Sequence, residues 1–213
     1  MTIFSQGTYV YLHNGKETDI QETWVKEISS DSTRIVSRRD APPYKSRIEV
    51  NYWSRAHEPT RIEIKWLNGT TQNIPERQVE YSVSQNRLRV IYSASDEEIK
   101  REEYTITEDM LISPLLRIFV GSTIRTIHAQ NGQGTVIVPN ITSPRDPELL
   151  LKPSFEQRRV HFLGNAMISV PSGTYHTECF GYVGSNHDQN ARFWLYGDTL
   201  VRYTFDQWDV QLG

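Results

Sequence analysis

Apolar and polar residues alternate with a period of two along much of the chain. Arg47-Ile48-Glu49-Val50-Asn51-Tyr52 shows the pattern, and Arg61-Ile62-Glu63-Ile64-Lys65-Trp66, Gln78-Val79-Glu80-Tyr81-Ser82-Val83 and Arg87-Leu88-Arg89-Val90 repeat it. Successive side chains of a strand point to opposite faces, so this spacing collects apolar residues on one face and charges on the other. Strands built this way are half-buried and antiparallel, with a wet outer face. Turn residues punctuate them. Asn14-Gly15 follows Tyr9-Val10-Tyr11-Leu12, and Asn68-Gly69 follows the strand ending near Trp66. Gly164-Asn165 separates residues 160–162 from 166–170, and Gly197-Asp198 separates 193–196 from 200–205. Each pair tolerates the positive φ that a tight hairpin needs. About a dozen strands joined mainly as a meander are expected.

Helix is scarce. Thr107-Glu108-Asp109-Met110-Leu111-Ile112 offers a capping Thr107 and acids for a first turn, which predicts helix running past Pro114 into residues 115–120, in one or two short pieces. Residues 141–154 carry Pro144, Pro147 and Pro153 and read as a long loop with a turn near 148–151. No shift of composition marks a boundary, so residues 1–213 are expected to form one domain. The fold class is all-β: a single strongly curved antiparallel sheet, a half-barrel with one or two short helices over its open side.

Composition narrows the function. With 23 basic and 26 acidic residues and no basic cluster, the chain lacks the electrostatic footprint of a nucleic-acid binder. No apolar run approaches the roughly 20 residues that span a bilayer. The start, Met1-Thr2-Ile3-Phe4-Ser5-Gln6-Gly7, lacks the features of a signal peptide, which gives the expectation of a cytoplasmic protein. The one cysteine, Cys179, leaves no intramolecular disulfide framework and no thiolate zinc cluster. The aliphatic content is low, yet 5 Trp, 11 Tyr and 7 Phe are present. Such rings either plug the interior of a large barrel or line a pocket, offering apolar area with a polar tip.

No Gly-rich phosphate loop, nucleophile elbow or His-Glu-x-x-His occurs, and no cofactor is expected. His176-Thr177-Glu178-Cys179 is the one compact run of metal-ligand types. On a strand Cys179 points away from His176 and Glu178, so no metal is expected there. More informative are ionisable residues whose parity sets them among apolar neighbours. Ile20, Glu22, Trp24, Lys26 and Ile28 share a face. Glu22 and Lys26 could pair inside a cavity, work as acid and base, or lie on a strand exposed on that side. His176 and Glu178 share a face with Phe180 and Tyr182, which would suit acid–base work beside aromatic walls or a solvent-facing hairpin. Trp24, Tyr52, Trp66, Tyr81 and Tyr92 all occupy the apolar parity of their strands and are candidate ligand-binding residues, with Phe180 and Tyr182. Arg38-Arg39, before a Pro-containing loop, and Arg158-Arg159 would suit the mouth of a pocket for a carboxylate, or a solvated strand face.

The C-terminal half carries a familiar progression. Ile168-Ser169-Val170-Pro171-Ser172-Gly173-Thr174-Tyr175 is followed by a strand through Cys179 and Tyr182, then Phe193-Trp194-Leu195-Tyr196 and Leu200-Val201-Arg202-Tyr203. This resembles the half-barrel superfamily of the LolA and LolB lipoprotein carriers, and the opening Gly7-Thr8-Tyr9-Val10-Tyr11 is similar to its first strands. The resemblance covers the two ends of the chain and implies an eleven-stranded half-barrel lidded by short helices. The superfamily includes lipid carriers and sensors, and the violacein-pathway enzyme VioE resembles it in fold. Two functions are therefore expected. The first is binding of a hydrophobic or aromatic small molecule, or an acyl chain, on the concave side. The second is cofactor-independent cyclase or isomerase chemistry of a biosynthetic pathway, with Glu22, His176 and Glu178 as catalytic residues. Nothing in the pattern fixes an oligomeric state.

Overall fold

The structure is a computed structural model that describes residues 2–56, 58–68, 77–94, 97–184 and 190–213. The alternating segments form strands: β1 (Ile3–His13), β2 (Lys16–Ile28), β3 (Ser32–Ala41), β4 (Ser46–Arg55), β5 (Glu58–Asn68), β6 (Arg77–Ser84), β7 (Arg87–Ala94) and β8 (Glu97–Thr105). A two-residue strand β9 (Leu111–Ile112), a 3-10 turn (Arg117–Phe119) and helix α1 (Val120–Ala129) come next. The remaining strands are β10 (Gln133–Pro139), β11 (Pro153–Val170), β12 (Gly173–Gly184), β13 (Arg192–Tyr196), β14 (Thr199–Phe205) and β15 (Trp208–Leu212). All lie in one sheet in the order β8 to β1, then β15 down to β9. Every pairing is antiparallel except that of β9 with β10. The first and last strands thus meet in the middle, and β8 and β9 form the edges.

The sheet curls until its two ends approach each other. The ring of Tyr104 on β8 lies 5.7 Å from that of Phe155 on β11. Lys100 on β8 pairs with Glu148 at 3.1 Å, and the Tyr81 hydroxyl on β6 donates to the Leu151 carbonyl at 2.6 Å. The sequence parity holds along the first half. Ile48, Val50, Ile62, Ile64, Val79, Tyr81, Leu88, Val90 and Tyr92 are all essentially buried, while Val25 and Val36, paired in register, sit on the wetter outer face. No helix among the described residues is long and apolar enough to cross a membrane.

The chain leaves β8 at one edge and re-enters the sheet at the other, and between them α1 covers part of the inner face. Its apolar side, Val120, Ile124 and Ile127, is buried, against β10, β11 and β14. The fold class expected from the pattern is therefore observed, but two details differ. Residues 107–112 do not form a helix: a turn closed by the Met110 N–H on the Thr107 carbonyl leads into β9, and the helix starts only at Val120. Its β-branched sequence, Val-Gly-Ser-Thr-Ile-Arg-Thr-Ile, is a poor helix signal, and packing on the sheet overrides propensity there. Gly164-Asn165 is not a hairpin. β11 runs through it, and Gly164, at φ +127°, absorbs a bulge where the register with β12 shifts between Phe162 and Gly164. The turn expected at Asn68-Gly69 lies outside the described residues, which break off between 68 and 77.

Gly121 fixes how closely α1 approaches the sheet. A Cβ there would run into the backbone carbonyl of Asp198 in the β13–β14 turn. Alanine is the better helix former by about 1 kcal/mol, but the overpacking costs about 1–3 kcal/mol. Gly121→Ala is therefore expected to lower stability in urea unfolding. A neutral or stabilising result would show that the helix is free to move away from the turn.

Candidate binding site

Strand register sets the site. On the inner face, Leu212, Tyr9, Glu22, Arg39, Ile48, Trp66 and Arg77 are partners in successive strands, β15, β1, β2, β3, β4, β5 and β6. A second row joins Phe162, Phe180, Phe193, Tyr203, Val210 and Tyr11 across β11 to β15 and β1. Where the two rows draw together lies a cavity of about 560 Å³. Tyr11, Ile20, Arg39, Ala41, Ser46 and Trp66 wall it on one side, with Tyr203, Phe205, Trp208 and Val210 on the other. Tyr44, from the 3-10 turn Pro42–Tyr44, and Pro144 and Arg145 of the loop before β11 form its lip, and Arg117 reaches in from above.

Glu22 stands behind this wall and is wholly buried. Its carboxylate accepts the Tyr11 hydroxyl at 2.9 Å on Oε2, and on Oε1 the backbone N–H of Arg117 at 2.6 Å and, more weakly, that of Ile118 at 3.4 Å. The first N–H groups of a helical turn have no partner within the turn, so a carboxylate suits them. Burial pushes the Glu22 carboxyl above its usual range, and the charges of Arg39 and Arg117 with those hydrogen bonds pull it back only in part. Burial and the nearby Glu22 charge push the Tyr11 phenol up to about 12, so it remains a donor. The Arg117 guanidinium lies 4.7 Å over the Tyr203 ring. Its Nε and the indole Nε1 of Trp66 are buried without hydrogen-bond partners.

The residues singled out by sequence fall in different places. Trp66 lines the cavity, and Glu22 holds two of its wall residues, Tyr11 and Arg117, without lining it. Glu22 and Lys26 do not pair; Lys26 reaches Asp198 at 3.0 Å. Trp24 is buried beside Gly7, where a Cβ would meet its ring. Tyr52 packs on Phe119 at 5.3 Å. Tyr81 is tied to the Leu151 carbonyl. The Tyr92 hydroxyl donates to Glu102 at 3.1 Å, and its ring lies under Arg77. Phe180 contacts His128 and Phe162, and Tyr182 contacts Phe193 with Arg158 over its face. His176 is exposed and lies outside the cavity wall. Glu178 also lies outside it, ion-paired with Arg125 of α1, and that hydrogen bond holds its carboxyl below the usual range. Most of the rings therefore fill the core.

Arg39, which the sequence offered with Arg38 for the mouth of a carboxylate pocket, lines the cavity, and Tyr11, Arg117, Arg145, Tyr203, Phe205 and Trp208 line it without having been singled out. Arg39 carried a readable signal, since Ile35, Ser37 and Ala41 at its own parity are all buried. Arg117 carried none, because it projects from a turn. No family model matches the chain, and no curated protein matches it. Among solved structures it is similar to a beta-barrel-like protein of a domain of unknown function, DUF1849, from Brucella abortus. The identity is 10%, over 97% of this chain and 93% of that one, with a TM-score of 0.49.

A raised folded-state pKa means that the folded protein holds the Glu22 proton more tightly than the unfolded chain, whose value lies near 4.5. The associated stability is complete below that value and is lost as the pH rises through the folded-state pKa. Glu22→Gln removes this dependence. Unfolding in urea from about pH 4 to about pH 8 is expected to show the wild type losing ground to the variant as pH rises. A pH-independent difference would mean that Glu22 ionises as freely in the folded protein as in the unfolded chain. Glu22→Ala, which strands the Arg117 N–H, is expected to cost about 1–3 kcal/mol.

Proposed function

We propose that the protein binds a small hydrophobic or aromatic molecule in the cavity between Tyr11, Trp66 and Tyr203. The observation that carries this reading is the cavity itself, about 560 Å³, with Tyr11, Tyr44, Trp66, Tyr203, Phe205 and Trp208 in its wall. That is the size and composition of a small-molecule site. The resemblance of residues 168–203 to the LolA and LolB half-barrels fits the same reading, since that superfamily includes carriers of apolar cargo.

The cyclase or isomerase alternative, and with it a likeness to VioE in function, has less support. A general base must reach the substrate and be free to take a proton. Both Glu22 oxygens are engaged by Tyr11 and by the backbone of the Arg117 turn, and His176 and Glu178 lie outside the cavity wall. The ionisable groups that do wall it are phenols and guanidiniums.

Titration with the uncharged fluorophore N-phenylnaphthylamine tests the binding reading. One saturable site is expected. Ser46→Trp, which puts an indole into the cavity from its partly exposed rim, is expected to weaken binding at least about tenfold, or about 1.4 kcal/mol. Absence of saturable binding, or equal affinity in Ser46→Trp, would contradict the reading.

A further inference from the structure

Granted that the cavity binds a small molecule as proposed, the geometry points to a ligand that carries an acidic oxygen group on its aromatic or apolar body, held by Arg39 and Arg117. The grounds are that both arginines wall the cavity without an ion pair among the described residues, whereas several others in the molecule are paired. Arg38 and Arg47 both hold Asp40, Arg61 holds Glu63 and Glu80, Arg125 holds Glu178, and Arg202 holds Asp209. Arg39 and Arg117, facing the cavity, form no ion pair among the described residues. Glu22 is near enough for their charges to act on it. Yet its oxygens are already taken by the Tyr11 hydroxyl and the backbone N–H groups of Arg117 and Ile118.

Two guanidiniums therefore wall the cavity, and the one carboxylate near them, Glu22, stands behind the wall and is already engaged. Arg145, exposed at the lip, adds to the positive field. The Arg117 guanidinium is part of the cavity wall and lies over the Tyr203 ring, 4.7 Å from its centre. A planar fork of donors in a partly desolvated site matches a carboxylate or a related oxyanion, which would balance the charge. A neutral ligand of the same shape would not. Arg39 and Arg117 are accordingly the specificity-determining residues of the site, and Glu22 is a positioning residue that holds the Arg117 turn in place.

The test compares two fluorophores with the same rings, anilinonaphthalenesulfonate and uncharged N-phenylnaphthylamine, on the wild type, Arg39→Gln and Arg117→Gln. The sulfonate is expected to bind at least about tenfold more tightly than the neutral probe, and each substitution is expected to remove most of that advantage. The ratio of the two affinities reads the charge, since each substitution also alters the wall that both probes touch, and urea unfolding of each variant reports that it keeps its fold. If the neutral probe binds as tightly as the sulfonate, or if the advantage survives both substitutions, the acidic-ligand inference is overturned while the cavity reading stands. If neither probe binds saturably, the cavity reading falls and takes the inference with it. Displacement of the bound sulfonate by naphthoate and by naphthyl phosphate then separates carboxylate from phosphate ligands, and displacement by uncharged naphthalenemethanol at equal concentration counts against both.

Discussion

A carboxylate shut away from water on the inner face of a sheet has to be satisfied where it stands, and Glu22 is that carboxylate. Leaving it unpaired would cost several kcal/mol, more than most single interactions in a domain contribute. Its neighbours along the sheet supply one donor, the Tyr11 hydroxyl. The others come from the backbone of the Arg117–Phe119 turn, which enters α1 and begins the cover of the inner face. The sheet therefore dictates where the cover touches down, and the cover supplies the donors that allow an acid in the sheet. With its backbone pinned, Arg117 projects over Tyr203 and becomes part of a wall.

That anchor sets one boundary of the cavity, and the regions of the sheet on either side of it are filled. The side of the barrel near β12 is filled by α1, with His128 and Phe180 in edge contact and Arg125 tied to Glu178 and to the Gly197 carbonyl. The side near β6 to β8 is filled by Tyr81, Tyr92 and the loop residues Leu150 and Leu151. Glu102 there shows the opposite balance to Glu22. Burial pushes its carboxyl up, but hydrogen bonds from Tyr104, Lys100 and Tyr92 outweigh that and hold it at about 2. It is a structural acid, ionised and fully partnered. Between these two filled regions lies the cavity, with Arg39 and Arg117 in its wall.

Much of the fold was legible in the sequence because strand parity is a local property. The period-two segments around Ile48, Ile62, Val79 and Leu88 became buried rows, and Asn14-Gly15 and Gly197-Asp198 became turns. Of the alternatives that parity left open for Glu22, the one with Ile20 and Trp24 facing inward is the one its burial matches. Less legible was whatever depends on segments distant in sequence. The partner of Glu22 is 95 residues away in the Arg117 turn, not Lys26 on its own strand. The fate of each ring depends on what the loops and helix bring against it, so Trp66 faces the cavity while Tyr52 and Tyr81, equally apolar in parity, are packed away. Gly164-Asn165 illustrates a local ambiguity: positive φ serves a bulge as well as a hairpin.

The five tryptophans provide the most direct measurement. Trp66 and Trp208 line the cavity; Trp24 is buried beside Gly7, and Trp53 and Trp194 lie under Arg61 and Arg202. In a proton–nitrogen correlation spectrum each indole N–H gives a separate signal. With Trp signals assigned by single substitution to Phe, titration with naphthoate is expected to move the indole signals of Trp66 and Trp208 and to leave those of Trp24, Trp53 and Trp194 in place. Movement of Trp53 or Trp194 with Trp66 unchanged would contradict the account and put the ligand on the outer face of the sheet.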